Sequence, residues 1–203
     1  MKSDSIISKL SLIISAGFMF LPTITFAGKT ANLNGTQYCD NKSMNGVEIE
    51  ESELVTVDRL VVQKKTRTLY LMANGKIVKS YTIAMGPNAE QGPKEFEGDN
   101  KTPEGLYSLE FKNPKSNYYM ALKVSYPNAQ DLAYAKAQNK KAGSFIMVHG
   151  FPVKPIDGLI PSEVKDVHPL KDWTQGCMAV TDREIEEIYS FVQVETPIEI
   201  CPQ

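Results

Sequence analysis

Two side chains offer this sequence its clearest route to covalent chemistry. Cys177 lies in Thr174-Gln175-Gly176-Cys177-Met178-Ala179-Val180, and His149 closes the apolar run 144–149 and is followed by Gly150. A thiol is a strong nucleophile once a neighbouring base takes its proton. An imidazole titrates near neutrality and is the natural base for that task. Gly176 lets the backbone bend sharply before the sulfur, so that amide N–H groups can face a developing oxyanion. Together these residues could carry nucleophilic catalysis by a thiol. Taken singly, each has an ordinary alternative: a free cysteine is often a small buried apolar residue, and a lone histidine is often only hydrogen-bonded. The other histidine, His168, lies beside Pro169 in a proline-rich stretch. Two histidines and three cysteines give no H-E-x-x-H or paired C-x-x-C spacing, so no metal is expected. No G-x-S-x-G is present to suggest a serine hydrolase.

The elements that must position these groups are mostly strands. Val55, Val57, Leu60, Val61 and Val62 form one β-rich run, and residues 68–72 form a second. Asn74-Gly75 is a strong hairpin turn, and Ile77, Val78, Tyr81 and Ile83 continue beyond it. After a polar loop, Pro103 and Gly105 make a turn into a strand carrying Leu106, Tyr107 and Leu109. Residues 129–141 are rich in Ala and Lys and read as a helix ending at Gly143. Residues 144–149 read as a short strand with His149 at its rim. Residues 151–172 hold four prolines without periodicity and read as a long loop carrying His168, with Trp173 at its end. Thr181 and Glu184 have capping-box spacing ahead of a helix whose apolar stripe is Ile185, Ile188, Tyr189 and Val192. Residues 197–200 read as a short edge strand. The whole is mainly β, of α+β type, with two or three flanking helices.

Residues 1–27 have the form of a secretory signal peptide: Lys2 and Lys9, an apolar core from Leu10 to Leu21, Pro22, then Thr25-Phe26-Ala27 as a processing site. No apolar run reaches the roughly 18–20 residues of a spanning helix. Residues 28–50 are polar and aperiodic and read as a tether or strap, leaving 51–203 as the folded domain. Export favours disulfides. Cys39 lies near the start of the exported chain and Cys201 near its end, and termini often meet on a domain, so the expected bond is Cys39–Cys201 with Cys177 free. The chain has 203 residues, enough for one domain, and a formal net charge of −2. It lacks the basic excess that nucleic-acid binding requires.

In order along the chain, Gly98-Asp99-Asn100-Lys101-Thr102-Pro103-Glu104-Gly105-Leu106-Tyr107, the strand ending in His149-Gly150, and Thr174-Gln175-Gly176-Cys177 before a helix resemble the L,D-transpeptidase catalytic domain (YkuD-type) family. The resemblance extends over about residues 55–201. It implies a β-sandwich-like catalytic fold in the periplasm or cell envelope, without cofactor or metal, acting on peptidoglycan stem peptides. Cys177 would be the nucleophile and His149 the general base and acid. Gly150 would orient the imidazole through its carbonyl. The amides of Gln175, Gly176 and Cys177 would hold the oxyanion, and Tyr107, Trp173 and His168 are candidate substrate contacts, with packing the alternative role of Trp173. Acyl transfer to an amine would cross-link the wall; transfer to water would make the protein an L,D-carboxypeptidase or hydrolase. A non-catalytic peptidoglycan-binding module is a third alternative. The sequence departs from the family pattern in three places: Gln175 stands where a histidine is usual, Ala179 where an arginine is frequent, and 28 positions separate His149 from Cys177.

Overall fold

The computed structural model describes residues 28–30, 32, 34–39 and 56–203. The expected signal peptide, all of 40–55, and with them the start of the expected first strand lie outside the described residues. Eight strands form one mixed sheet in the order β3-β2-β1-β8-β4-β5-β6-β7. These are β1 (Arg59–Gln63), β2 (Thr68–Ala73), β3 (Lys76–Thr82), β4 (Gly105–Ser116), β5 (Tyr119–Val124), β6 (Met147–His149), β7 (Met178–Ala179) and β8 (Pro197–Cys201). Three helices accompany them: α1 (Ala129–Ala137), α2 (Pro161–Val167) and α3 (Asp182–Phe191). This is the mainly β, α+β architecture expected.

β4 joins the two halves of the sheet. Its first residues pair with β8 and the remainder with β5. Ala84, just beyond β3, exchanges two backbone hydrogen bonds with Ala179 of β7 (2.9 and 2.8 Å), so the first and last strands are also linked. Alternation along β1 shows how the layers form. Leu60 and Val62 enter the main core with Leu69, Leu71, Ile185 and Ile198, whereas Val61 points the other way, onto Tyr38, Met72 and Cys201. The described parts of 28–39 are therefore a strap packed on the domain. The Cys39–Cys201 disulfide fastens it, and Cys177 is free.

Three expectations change. Residues 197–201 are not an edge strand: β8 sits between β1, to which it is parallel, and β4, and Ile198, Glu199 and Ile200 are fully buried. Pro197 is tolerated because it opens the strand. The stretch 151–172 is not all loop, since Pro161 starts the short helix α2 at a position where its missing N–H costs nothing. The helix from Ala129 ends at Ala137, earlier than expected. It starts with a capping box, Asn128 with Asp131, that sequence reasoning missed; the one expected at α3 is present, where Thr181 accepts from Glu184 N–H and the Glu184 carboxylate accepts from Thr181 N–H. β5 was missed, although Tyr118 to Val124 is a β-rich run bounded by Ser116-Asn117.

Candidate active site

Register brings Cys177 and His149 together. β6 and β7 are parallel, with His149 beside Ala179 and Val148 beside Met178. Continuing that register one residue puts Cys177 beside Met147. Alternate residues of a strand share a face. His149 and Cys177 therefore project from the same face of neighbouring strands as a diagonal pair, and both line one cleft of about 560 Å³. Trp173, Tyr118, Phe145, Lys94 and Glu97 are among the other lining residues.

The imidazole is held from several sides. His149 is almost fully buried, and its Nδ1 lies 2.7 Å from the carbonyl of Gly150. A carbonyl only accepts, so Nδ1 carries the proton and Nε2 keeps its lone pair. The Tyr118 ring lies against the imidazole with centroids 4.5 Å apart, and Trp173 meets it edge-on at 5.6 Å. A Cβ on Gly150 would come within 2.7 Å of Asp182 Oδ1, so a larger residue there would push that carboxylate aside. Burial drives the His149 pKa down to about 4, against the Gly150 hydrogen bond, which favours the charged form.

The thiol keeps part of its surface open to the cleft, donates to Phe145 O (3.4 Å) and accepts from the Met147 amide. Burial pushes its pKa up to about 11, opposed by the Met147 amide and more weakly by Lys94 and Lys123. The resting pair is thus a neutral thiol beside a neutral imidazole. The preceding turn is set by Gly176 at φ +124°, where a Cβ would lie 2.5 Å from Lys101 O. Thr174 Oγ1 donates to Cys177 O (2.8 Å) and accepts from Gly176 N–H (3.2 Å). The Gly176 amide is therefore occupied, and the oxyanion expectation narrows to the amides of Gln175 and Cys177. Thr174 N–H donates to Met85 O (3.0 Å), while Asp172 accepts from Met85 N–H (2.6 Å) and from both terminal nitrogens of Arg67. This clamp seats the segment leading to Cys177.

The three candidate substrate contacts fare differently. Trp173 lines the cleft, although 8% exposed and packed on Phe151, Tyr118 and His149. His168 does not line it: its ring meets Phe151 edge-on at 5.1 Å, and Nδ1 accepts from Trp173 Nε1 at 3.4 Å. Tyr107 is not brought to the cleft either. Its place on β4 turns it into the core, where its hydroxyl donates to Asp131 Oδ2 (3.1 Å). The motif around it is structural in the same way, with Glu104 pairing with the buried Lys64 at 2.5 Å. Sequence reasoning missed Tyr118, which belonged to the overlooked β5 run, and Phe145, whose contribution is a backbone carbonyl that no side-chain pattern announces.

Among the described residues, the grouping of potential metal ligands is Cys39, Glu199 and Cys201, and its two sulfurs are joined to each other. Among the described residues no helix is long and apolar enough to cross a membrane.

The chain resembles a curated Escherichia coli K12 protein named "Putative L,D-transpeptidase YafK", with 27% identity over 190 residues, 91% of this chain and 63% of the relative. It also resembles the crystal structure of the helical cell shape determining protein Pgp2 from Campylobacter jejuni, at 26% identity and TM-score 0.51, over 72% of this chain and 48% of that one. The K307A mutant of Pgp2 aligns at 25% identity and TM-score 0.50, over 81% and 53%. The chain thus spans about half to two thirds of the length of these relatives. Residues 57–200, which hold every strand but the last residue of β8 together with the whole cleft, match the family described as YkuD, the L,D-transpeptidase catalytic domain, and the chain belongs to that family.

Proposed function

We propose that this protein is an exported cysteine acyltransferase of the cell envelope that acts on peptidoglycan stem peptides. Cys177 is its nucleophile and His149 its general base and acid. The observation that carries this reading is the common face of β6 and β7, from which thiol and imidazole open into one cleft.

The neutral resting pair sets the order of events. As Sγ attacks the carbonyl between the third residue of the stem and D-alanine, His149 Nε2 takes the thiol proton. The charge arising on the carbonyl oxygen faces the amides of Gln175 and Cys177. The imidazolium then passes its proton to the leaving D-alanine nitrogen, and the C–N bond breaks to leave a thioester. An amine of a second stem attacks the thioester, gives its proton to His149, and expels the sulfur, which regains the proton. Glu97 and Asp157 are exposed carboxylates at the cleft and suit an acceptor that arrives as an ammonium.

The test is incubation of the purified protein with defined tetrapeptide muropeptides and identification of products by mass. A dimer formed with loss of D-alanine is expected. Tripeptide and free D-alanine without dimer would assign hydrolysis, and no product would defeat the reading. Cys177→Ala should abolish turnover. His149→Ala should lower it by about 10²–10⁴-fold, the usual size of a general-base contribution; an undiminished rate would remove His149 from the mechanism.

A further inference from the structure

A single buried lysine carries the N-terminal strap to the wall of the cleft. Lys29 Nζ donates to Lys94 O (2.7 Å) and forms an ion pair with Asp131, while Lys29 N–H donates to Glu95 Oε1 (3.3 Å). The Lys29 and Asp131 side chains are 5% and 3% exposed, so this is an interior pair. Asp131 is itself fixed, accepting from Tyr107 of β4 (3.1 Å) and from Asn128 N–H at the start of α1 (2.8 Å). Lys29 thus joins the body of the domain to residues 94 and 95.

From there hydrogen bonds run through the arch to Lys101, which packs against the turn before the nucleophile. Lys94 Nζ pairs with Asp99 (2.7 Å), whose carboxylate also accepts from the N–H groups of Glu95 (2.7 Å), Phe96 (3.0 Å) and Lys101 (3.0 Å). One carboxylate therefore folds 94–101 into a tight arch, and Lys94, Glu97, Gly98 and Asn100 of that arch line the cleft. The far end of the arch touches the turn before Cys177. Lys101 O would lie 2.5 Å from a Cβ on Gly176, and Asn100 O 2.1 Å from one on Gly86, which itself abuts Gly176 N. The arch therefore packs directly against the backbone of Gly86 and Gly176, with no room for a side chain at either, and its placement supports the residue that precedes the sulfur.

We propose that Lys29 is a positioning residue for the nucleophile: by clamping the 94–101 arch it fixes the backbone of the Gly176-Cys177 turn. The inference rests on Cys177 being the reactive group and not on the identity of the substrate. Losing the Lys29 ammonium leaves Asp131 without its buried counter-ion and removes the donor to Lys94 O, which frees the arch at its strap end.

The full chain carrying Lys29→Met is compared with wild type and with Lys112→Met. Lys112 Nζ bonds Tyr189 O and Val192 O at the end of α3 and does not line the cleft, so it controls for general destabilisation. The primary readout is the pH profile of Cys177 alkylation by iodoacetamide, which needs no natural substrate. A loosened arch admits water to the thiol, so the midpoint in Lys29→Met is expected to fall by at least one pH unit while Lys112→Met keeps the wild-type profile. With muropeptide, kcat is expected to fall about tenfold with KM within twofold. A Lys29→Met profile that superposes on wild type, or an equal shift in Lys112→Met, overturns the proposal. If wild type alkylates but turns over no muropeptide, the proposed function fails while the alkylation comparison still decides the role of Lys29. Should Lys29→Met not fold, Glu95→Gln weakens the same junction and is expected to shift the profile in the same direction; an unshifted profile there overturns the proposal too.

Discussion

At Cys177 and His149, burial works against charge, so the protein does not store a thiolate. The proposed mechanism therefore moves the proton during attack, and the burial of His149 has consequences for pH. Folded His149 binds its proton only near pH 4, whereas an unfolded histidine binds near 6.5. Above about 6.5 both states are neutral and the site is indifferent to pH. Below that the unfolded chain takes up a proton that the folded site refuses, so stability falls as pH drops towards 4. The full effect is about 3 kcal/mol, of which about 2 kcal/mol is lost by pH 5. Urea titrations at pH 7 and pH 5 should show this loss in wild type and its absence in His149→Gln. For the same reason the acid limb of kcat/KM should lie near 4 and not near 6.5. That Cys177 and His149 belong to one cleft could be suspected from the sequence because glycine before a cysteine and a histidine ending a strand are local signals. The fate of Tyr107 was not legible, since whether a strand residue meets the cleft or Asp131 depends on register with β8 and β5, which no local pattern prints.

Among the elements, the cap of α3 and the Asn74-Gly75 turn followed from short-range chemistry and could be read from a few residues. What escaped was lateral order. The run 197–201 is short and opens with proline, which suits an edge, yet it is paired on both sides. The burial of Ile198 to Cys201 was the hidden information: it comes from pairing with β1 and β4 and from the layers packed on either face, while the sequence displays only that the run alternates. Ile198 packs in the main core at 0% exposure. Ile198→Ala should therefore cost about 2–5 kcal/mol, the range for emptying a buried aliphatic site. Val78→Ala, on the true edge strand β3 and only half-buried, should cost clearly less. Equal losses in chemical denaturation would contradict the strand order. The parallel pairing of β6 with β7 belongs to the same class of long-range fact: it needs 28 positions of intervening chain, including α2, and it is what puts sulfur and imidazole on one face.

In the whole molecule, the strap and the last strand meet on the face opposite the main core. Cys39 and Cys201 are joined across a sequence separation of 162, and Gln37 and Tyr38 donate their N–H groups to the buried Glu199 of β8 (2.9 and 2.8 Å). Arg59 pairs with the same carboxylate, so the strap, β1 and β8 share one anion. Tyr38 covers Val61 and Met72, which makes the strap a second layer over the first half of the sheet. The disulfide holds that layer in place by restricting the unfolded chain, and a loop of this length is worth about 4–5 kcal/mol on entropic grounds, with strain and residual structure reducing what is measured. Cys39→Ser should accordingly lower unfolding stability by several kcal/mol. Wild type denatured without reductant should show one titratable thiol, at Cys177, and three thiols would refute the pairing. Glu199 adds a second expectation to the same variant. With the covalent tie gone, its buried carboxylate still depends on the strap amides and on Arg59 for solvation, so the strap should remain docked in the folded state, and limited proteolysis under native conditions should cut the variant within residues 28–39 no faster than wild type until denaturant is added.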